Sequence, residues 1–208
     1  MLKGVIFDMD GLMFDTERLS SKMWYKILTK YSLPINEKFI ISIRGLNFKS
    51  SKELFYKYYQ TDLEFKKIKD EKNQMVFDYI ISHGIPVKEG LYELLDFLKK
   101  NKIKIALATS SSRAVANKYL ELAGIDSYFN AKVFGDEASK GKPDPEIFLK
   151  ALAKLQLTCD ESIVLEDSKN GINAALSAGI RPLWIPDGVY FETKVKRLKS
   201  LKEVIKEF

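Results

Sequence analysis

The apolar run Val5-Ile6-Phe7 stops at Asp8, Asp10 and the breaker Gly11, the pattern of a short buried strand with polar side chains at its carboxyl end. The period then changes from that of a strand to that of a helix. Leu19, Met23, Trp24, Ile27, Leu28 and Tyr31 recur at helical spacing and predict one amphipathic helix through about residue 31. Pro34 interrupts it. Phe39, Ile40 and Ile43 predict a short helix, and Leu54, Phe55 and Tyr58 another. The stretch from Leu63 to Ser82 predicts a last one, with Ile68, Met75, Tyr79 and Ile80 on its apolar side. No strand pattern occurs between about 17 and 82, so this stretch is expected to form a separate small helical bundle.

Beyond Gly84 and Pro86 the strand and helix patterns alternate. Leu91, Leu94, Leu95 and Leu98 mark a helix, Ile103 to Ala108 a buried strand, and Val115, Tyr119 and Leu122 the next helix. Ala131 to Phe134 is a short strand. Asp144-Pro145 predicts an N-cap and first-turn proline for a helix whose core face is Ile147, Phe148, Ala151, Leu152 and Leu155. Ser162 to Leu165 is a strand, and Ala174, Ala175 and Ala178 mark a helix of small residues. Pro182 to Ile185 is the last strand, and a terminal helix is expected within Val195 to Ile205. Strands separated by helices imply a mostly parallel, doubly wound α/β sheet with helices on both faces.

Composition narrows the class. Hydrophobic residues make up 46% and charged residues 30% of the 208 positions, ordinary globular usage that excludes disorder. No stretch reaches the roughly 18 apolar residues of a membrane span. The strand begins at once, leaving no room for a signal peptide, so a cytoplasmic address is expected. The single cysteine, Cys159, fits a reducing compartment, and the single histidine, His83, falls at a predicted helix end. The net charge of +6 raises the question of nucleic acid, but the lysines are spread among acids; Lys66 to Lys72 reads as a solvated helix face. No nucleic-acid or membrane partner is expected, and the chain is expected to be a monomer.

Four polar clusters then stand where strands end. Asp8 and Asp10, two residues apart on a strand, share a face and repel unless a proton or cation relieves them; a divalent, oxygen-loving metal is the simplest relief, and strand capping the bland alternative. Thr109-Ser110-Ser111-Ser112-Arg113 precedes a helix, a place for an anion or for ordinary N-capping. Lys142 sits in Lys140-Gly141-Lys142-Pro143-Asp144-Pro145, before another helix. Glu166-Asp167 follows a strand and precedes Ser168 and Gly171, a further site for a hard cation or for a helix cap.

Taken together over nearly the whole chain, these clusters resemble the haloacid dehalogenase superfamily, in the branch of β-phosphoglucomutases and sugar-phosphate phosphatases. The resemblance implies a Rossmann-like core of residues 1–16 and 83–208 and a helical cap of residues 17–82 inserted after the first strand. It implies a Mg²⁺-dependent phosphatase acting on a small phosphomonoester, a sugar phosphate, with Asp8 as nucleophile and Asp10 as acid and base. Thr109 and Lys142 would hold phosphoryl oxygens, with Lys140 a substitute for Lys142, and Ser110 would add its backbone N–H. Mg²⁺ would be held by Asp8, Asp10 through its carbonyl, Asp167 and, directly or through another group, Glu166. Arg44, in Ile43-Arg44-Gly45-Leu46-Asn47, matches a cap loop that touches substrate in the family. The mutases of this branch carry a histidine in the first cap helix where this chain has Ser20, which favours hydrolysis over phosphosugar mutation. A receiver-like signalling module or a phosphate-binding scaffold is the alternative of another class.

Overall fold

A computed structural model describes all 208 residues. Strands β1 (Gly4–Phe7), β2 (Lys104–Ala108), β3 (Ala131–Val133), β4 (Ser162–Glu166) and β5 (Arg181–Trp184) form one sheet in the order β3-β2-β1-β4-β5, every neighbour parallel. The central strand is therefore the first one, flanked by β2 and β4. Its period of two sorts the core: Val5 and Phe7 join one apolar cluster with Ile105, Leu107, Ile163 and Leu165, while Ile6 joins the other with Ala106, Ala108 and Val164.

Helix α1 (Thr16–Lys30) follows β1, then α2 (Glu37–Ser42), α3 (Phe48–Tyr59) and α4 (Phe65–His83) before the chain returns through α5 (Leu91–Lys100) to the sheet. The crossover helices α6 (Arg113–Leu122), α7 (Glu146–Leu155) and α8 (Lys169–Ser177) complete the layers. Helices α7 and α8 pack on the sheet face that carries Ala106 and Ala108, and α8 meets it with Ala174 and Ala175, small side chains that allow close approach.

The inserted helices have an aromatic centre of Trp24, Phe39, Phe55 and Phe65, with Trp24 edge-on to Phe39 at 5.3 Å. They are not a wholly separate bundle. Leu19, Met23, Val76 and Ile80 belong to the main core cluster, so α1 and α4 dock on the sheet domain through continuous apolar packing.

Three sequence expectations change. The buried stripe of α4 is Phe65, Ile68, Lys72, Val76 and Ile80, a three-and-four spacing in which a lysine takes one inward place; Tyr79 is exposed and stacks on His83 at 4.1 Å. Helix α7 begins at Glu146, with Pro145 as N-cap and Asp144 Oδ1 accepting from the Glu146 N–H at 3.0 Å, one residue later than Asp144-Pro145 predicts. The tail is not α-helical. Lys196 to Leu198 run beside Trp184, which donates to the Lys196 carbonyl at 2.9 Å and accepts from the Leu198 N–H at 2.8 Å. A 3₁₀ helix then spans Leu201–Glu207, where the three-residue spacing of buried Leu198, Leu201 and Val204 matches a tighter turn.

Candidate active site

Sheet register alone brings the first cluster together. Phe7 is level with Leu107 on one side and Leu165 on the other, so Asp8, Ala108 and Glu166 lie at one level along three adjacent strands. Asp8 donates its N–H to the Leu165 carbonyl at 3.1 Å, extending the ladder one step past the strand. Into this row comes Lys142 from the loop before α7. Its ammonium donates to Asp8 Oδ1 at 2.5 Å, Glu166 Oε1 at 2.6 Å and the Ala108 carbonyl at 3.3 Å, and it lies 4.9 Å from the Phe148 ring centroid. All three ammonium donors are thus used. Burial would lower the Lys142 pKa, but the attraction of Asp8 and Glu166 outweighs it and holds the group charged. Lys140, by contrast, is largely exposed and faces Asp144 at 3.6 Å, so it does not substitute for Lys142.

Glu166 is fully buried, and both its oxygens are occupied. Oε1 takes Lys142, and Oε2 accepts from the Ser168 N–H at 2.9 Å and the Ser168 hydroxyl at 3.0 Å. Its carboxylate is packed so closely on α8 that a Cβ at Gly171 would lie 1.7 Å from Oε1, which explains a glycine in the first turn of that helix. Glu166 is therefore a holder of Lys142, the indirect role that stood beside direct metal binding among the expectations for it.

Asp167 differs. Its carbonyl accepts from the Trp184 indole at 2.9 Å, but its buried carboxylate receives no hydrogen bond from the protein. Burial pushes the Asp167 pKa well up, and repulsion from Glu166 and Asp8 adds to it. Asp8 is likewise raised by burial, with Lys142 pulling the other way and Glu166 and Asp10 pushing up. Ligand atoms of Asp8, Glu166 and Asp167 lie within 4.8 Å of one another. Gly11, at φ +83°, lets the loop after β1 turn against this cluster; a Cβ there would sit 2.3 Å from Asp167 Oδ2. Asp8 Oδ2, the Asp10 carbonyl and the Asp167 carboxylate accept no hydrogen bond within the protein. That all-oxygen donor set fits a hard divalent cation such as Mg²⁺.

The Asp10 carboxylate is not part of this cluster, because it is held elsewhere. Oδ1 accepts from the Thr16 hydroxyl at 2.6 Å and Oδ2 from the Ser111 hydroxyl at 2.7 Å, so the first residue of α1 and one of the loop after β2 aim it into the cavity. Thr109, 1% exposed, accepts from the Ser111 N–H at 3.0 Å and keeps its hydroxyl proton free. Ser110 donates its hydroxyl to the Gly45 carbonyl at 3.2 Å, a direct tie between the loop after β2 and the inserted helices. The backbone N–H groups of Met9, Asp10 and Ser110 donate to no protein acceptor. Unpartnered amides gathered at strand ends suit an anion.

Above this floor lies a cavity of about 480 Å³, roofed by α1 and α4 and by the loop around Gly45. Its roof carries charge that sequence reading misses. Glu17, Lys69 and Lys72 all line it; Glu17 accepts from the Gly45 N–H at 3.2 Å, and Lys72 donates to Ser20 Oγ at 2.9 Å. Burial and the nearby Asp10 raise Glu17 to about 7 against the pull of Arg44 and Lys72. Burial lowers Lys69 and Lys72 to about 8 each. The signal was present in the spacing: Lys72 lies four residues from Ile68 and from Val76, on the stripe that must face inward.

Arg44 is not among the cavity-lining residues. Its guanidinium donates to Ser21 Oγ at 2.9 Å and to the Asp187 carbonyl at 3.3 Å, and lies 3.9 Å from the Asp187 carboxylate. The buried Asp187 carboxylate attracts it away from the substrate space, and Lys88 and Arg18 pair with the same acid. The expected substrate contact is thus replaced by a tie between α1, the cap loop and the core.

Residues 5–185 match the family of haloacid dehalogenase-like hydrolases. The chain belongs to that family. It is 36% identical over 186 residues to a phosphorylated carbohydrates phosphatase of Thermotoga maritima, covering 88% of this chain and 84% of the relative. It is also 33% identical to a β-phosphoglucomutase of Bacillus subtilis, over 90% of this chain and 84% of that one. Among solved structures, β-phosphoglucomutase of Clostridium difficile superposes with a TM-score of 0.84 at 27% identity, covering 100% of this chain and 96% of the other. The fold is that of these haloacid dehalogenase-like hydrolases, an enzyme fold with its polar loops at the carboxyl edge of the sheet. No helix is long and apolar enough to cross a membrane.

Proposed function

We propose that this haloacid dehalogenase-like hydrolase is a Mg²⁺-dependent phosphatase of a small phosphomonoester, with residues 1–16 and 83–208 as its core and 17–82 as its cap. The observation that carries the reading is the row Asp8-Lys142-Glu166 beside a carboxylate, Asp167, that no protein donor satisfies. Free amides of Met9, Asp10 and Ser110 and the Thr109 hydroxyl give a phosphoryl group its other contacts.

One carboxylate oxygen of Asp8 attacks phosphorus as the bond to the leaving oxygen breaks, giving an aspartyl-phosphate, and the other oxygen is left for the cation. Asp10 gives that oxygen its proton; in the second step it takes one from water, whose oxygen displaces Asp8 and releases inorganic phosphate. To do this the Asp10 carboxyl exchanges one of its hydroxyl partners, Thr16 or Ser111, for the reacting oxygen. Lys142 offsets negative charge on Asp8 and on the transferring group throughout. A bound Mg²⁺, held by Asp8, the Asp10 carbonyl and Asp167, would supply further charge neutralisation.

Hydrolysis is favoured over mutation by Ser20, which sits on the cavity wall and accepts from Lys72 where the mutases of the branch place histidine. A hydroxyl cannot carry a proton near pH 7 as imidazole does. The test is incubation with hexose phosphates and Mg²⁺. Release of inorganic phosphate is expected; rapid conversion of β-glucose 1-phosphate to glucose 6-phosphate with little phosphate released would show that a sugar hydroxyl, not water, is the acceptor.

A further inference from the structure

Lys69 and Lys72 project from α4, three residues apart, into the cavity. Lys72 is 7% exposed; its ammonium donates to Ser20 Oγ at 2.9 Å and lies 5.6 Å from the Trp24 ring centroid. Lys69 donates to Ser51 Oγ at 3.3 Å and lies 5.4 Å from the Phe48 centroid. Neither has a carboxylate within ion-pair distance, whereas the other buried lysine, Lys142, has two. Each ammonium has three N–H donors and one hydroxyl partner. Buried charge is ordinarily paired, and buried Lys72 beside half-buried Lys69 lacks a protein counter-ion, a deficit that an anion entering the cavity would meet. Glu17 is the acid felt by both, but it is itself held by the Gly45 N–H and does not reach either ammonium.

We infer that Lys69 and Lys72, with Ser20 and Ser51, form a second anion subsite on the cap wall. The substrate is then a phosphomonoester bearing a second anionic group, a carboxylate or another phosphate, at the end remote from Asp8. This inference rests on the phosphatase reading above. The cavity, about 480 Å³, is of the size that takes a small metabolite whole, so one molecule can engage the Asp8 floor and the lysine roof together. A neutral sugar hydroxyl would leave both cations uncompensated. The depressed pKa values of Lys69 and Lys72 report the same imbalance, since an arriving anion would restore them toward 10.5.

The test uses an Asp8→Asn chain, which cannot turn over, in calorimetric titrations at pH 7 with Mg²⁺. Two matched pairs are compared: fructose 1-phosphate with fructose 1,6-bisphosphate, and glucose 6-phosphate with 6-phosphogluconate. The doubly anionic member of one pair is expected to bind about tenfold tighter or more, and which pair shows the gap tells phosphate from carboxylate. Adding Lys69→Met should shrink that gap to less than about threefold, while Lys69→Arg keeps it. No gap in either pair, no binding of any of the four, or a gap that survives Lys69→Met overturns the subsite. Turnover of p-nitrophenyl phosphate by the unsubstituted chain reads the phosphatase assignment separately. An active enzyme without a gap loses only the subsite, and an inactive one with a lysine-dependent gap loses only the phosphatase reading.

Discussion

Lys142 and Lys72 are both buried and both line the same cavity, one from its floor and one from its roof. On the floor, Asp8 and Glu166 surround the ammonium at 2.5 and 2.6 Å, and the group is held more firmly protonated than in water. On the roof, a serine hydroxyl and an indole ring stand in for the carboxylates, and Lys72 falls to about 8. Burial acts on both in the same direction; what differs is whether the protein supplies the counter-charge. The floor is an internally balanced charge network, prepared for chemistry on a group of fixed type. The roof is left unbalanced, which suits a surface that must recognise something from outside.

The sharpest way to break the comparison is at Asp8, the proposed nucleophile on the floor. Asp8→Asn should lower phosphate release by about 10⁴-fold or more and remove any acid-stable, hydroxylamine-sensitive phosphoenzyme, with the fold intact by circular dichroism. Near-normal activity would take the nucleophile away from Asp8. Next in size is Lys142→Met, which strands Asp8 and Glu166 in the core without their cation. A loss of about 3–5 kcal/mol in urea denaturation at pH 7 is expected, together with loss of turnover. A variant as stable as the parent would mean that the floor network is not what holds these strand ends together.

How far each region was legible in the sequence follows the same division. Asp8, Thr109 and Asp167 each follow a strand, within motifs only a few residues long, and parallel register brings them to one edge, where Lys142 joins them from the loop before α7. Local pattern was enough for the sheet and its order of elements. The roof depends on Glu17 and Lys72, fifty-five residues apart in sequence on helices that meet only in the fold, so no local motif marks them. In the run Lys66 to Lys72, counting charge reads a solvated face; Lys66 and Lys67 obey it, but Lys72 occupies an inward place on α4. Arg44 was misplaced for a related reason. Its loop was recognisable, yet Asp187, the acid that draws the guanidinium away, follows β5 at the far end of the chain. The tail failed differently: three-residue spacing satisfies a 3₁₀ helix as well as an α-helix, and pairing beside Trp184 consumed its first residues.

A smaller effect, with the opposite sign to Lys142→Met, is expected for Lys72→Met. Lys72 is 7% exposed, and its folded pKa of about 8 lies below the ordinary 10.5, so between these values the unfolded chain binds more protons. The penalty is therefore fully present below pH 8 and is relieved as pH rises toward 10.5. Removing the charge should stabilise the chain below pH 8 by up to about 3 kcal/mol, taking ~1.4 kcal/mol per pH unit. This gain over the parent should shrink as pH climbs through the same window. Parallel denaturation curves at pH 7 and pH 10 check it; a gain that does not vary with pH would mean that Lys72 is not carrying an uncompensated charge.

The smallest effect is expected where roof and floor are tied together. Arg44 bonds Ser21 of α1 and the Asp187 carbonyl, and removing it leaves Asp187 with Lys88 and Arg18. Because charge partners remain, Arg44→Ala should cost only about 1–2 kcal/mol, the scale of a hydrogen bond or two to a charged donor. Its kinetic signature separates the two positions the side chain can hold. A residue that touches substrate would lower kcat/KM for the physiological substrate far more than for p-nitrophenyl phosphate, which has no second anionic end. A tie between cap and core sets the closed geometry for every substrate alike. The structure leads us to expect equal losses, about two- to tenfold, on a sugar phosphate and on p-nitrophenyl phosphate. A loss confined to the sugar phosphate would return Arg44 to the cavity and transfer part of the roof's recognition from Lys69 and Lys72 to the loop around Gly45.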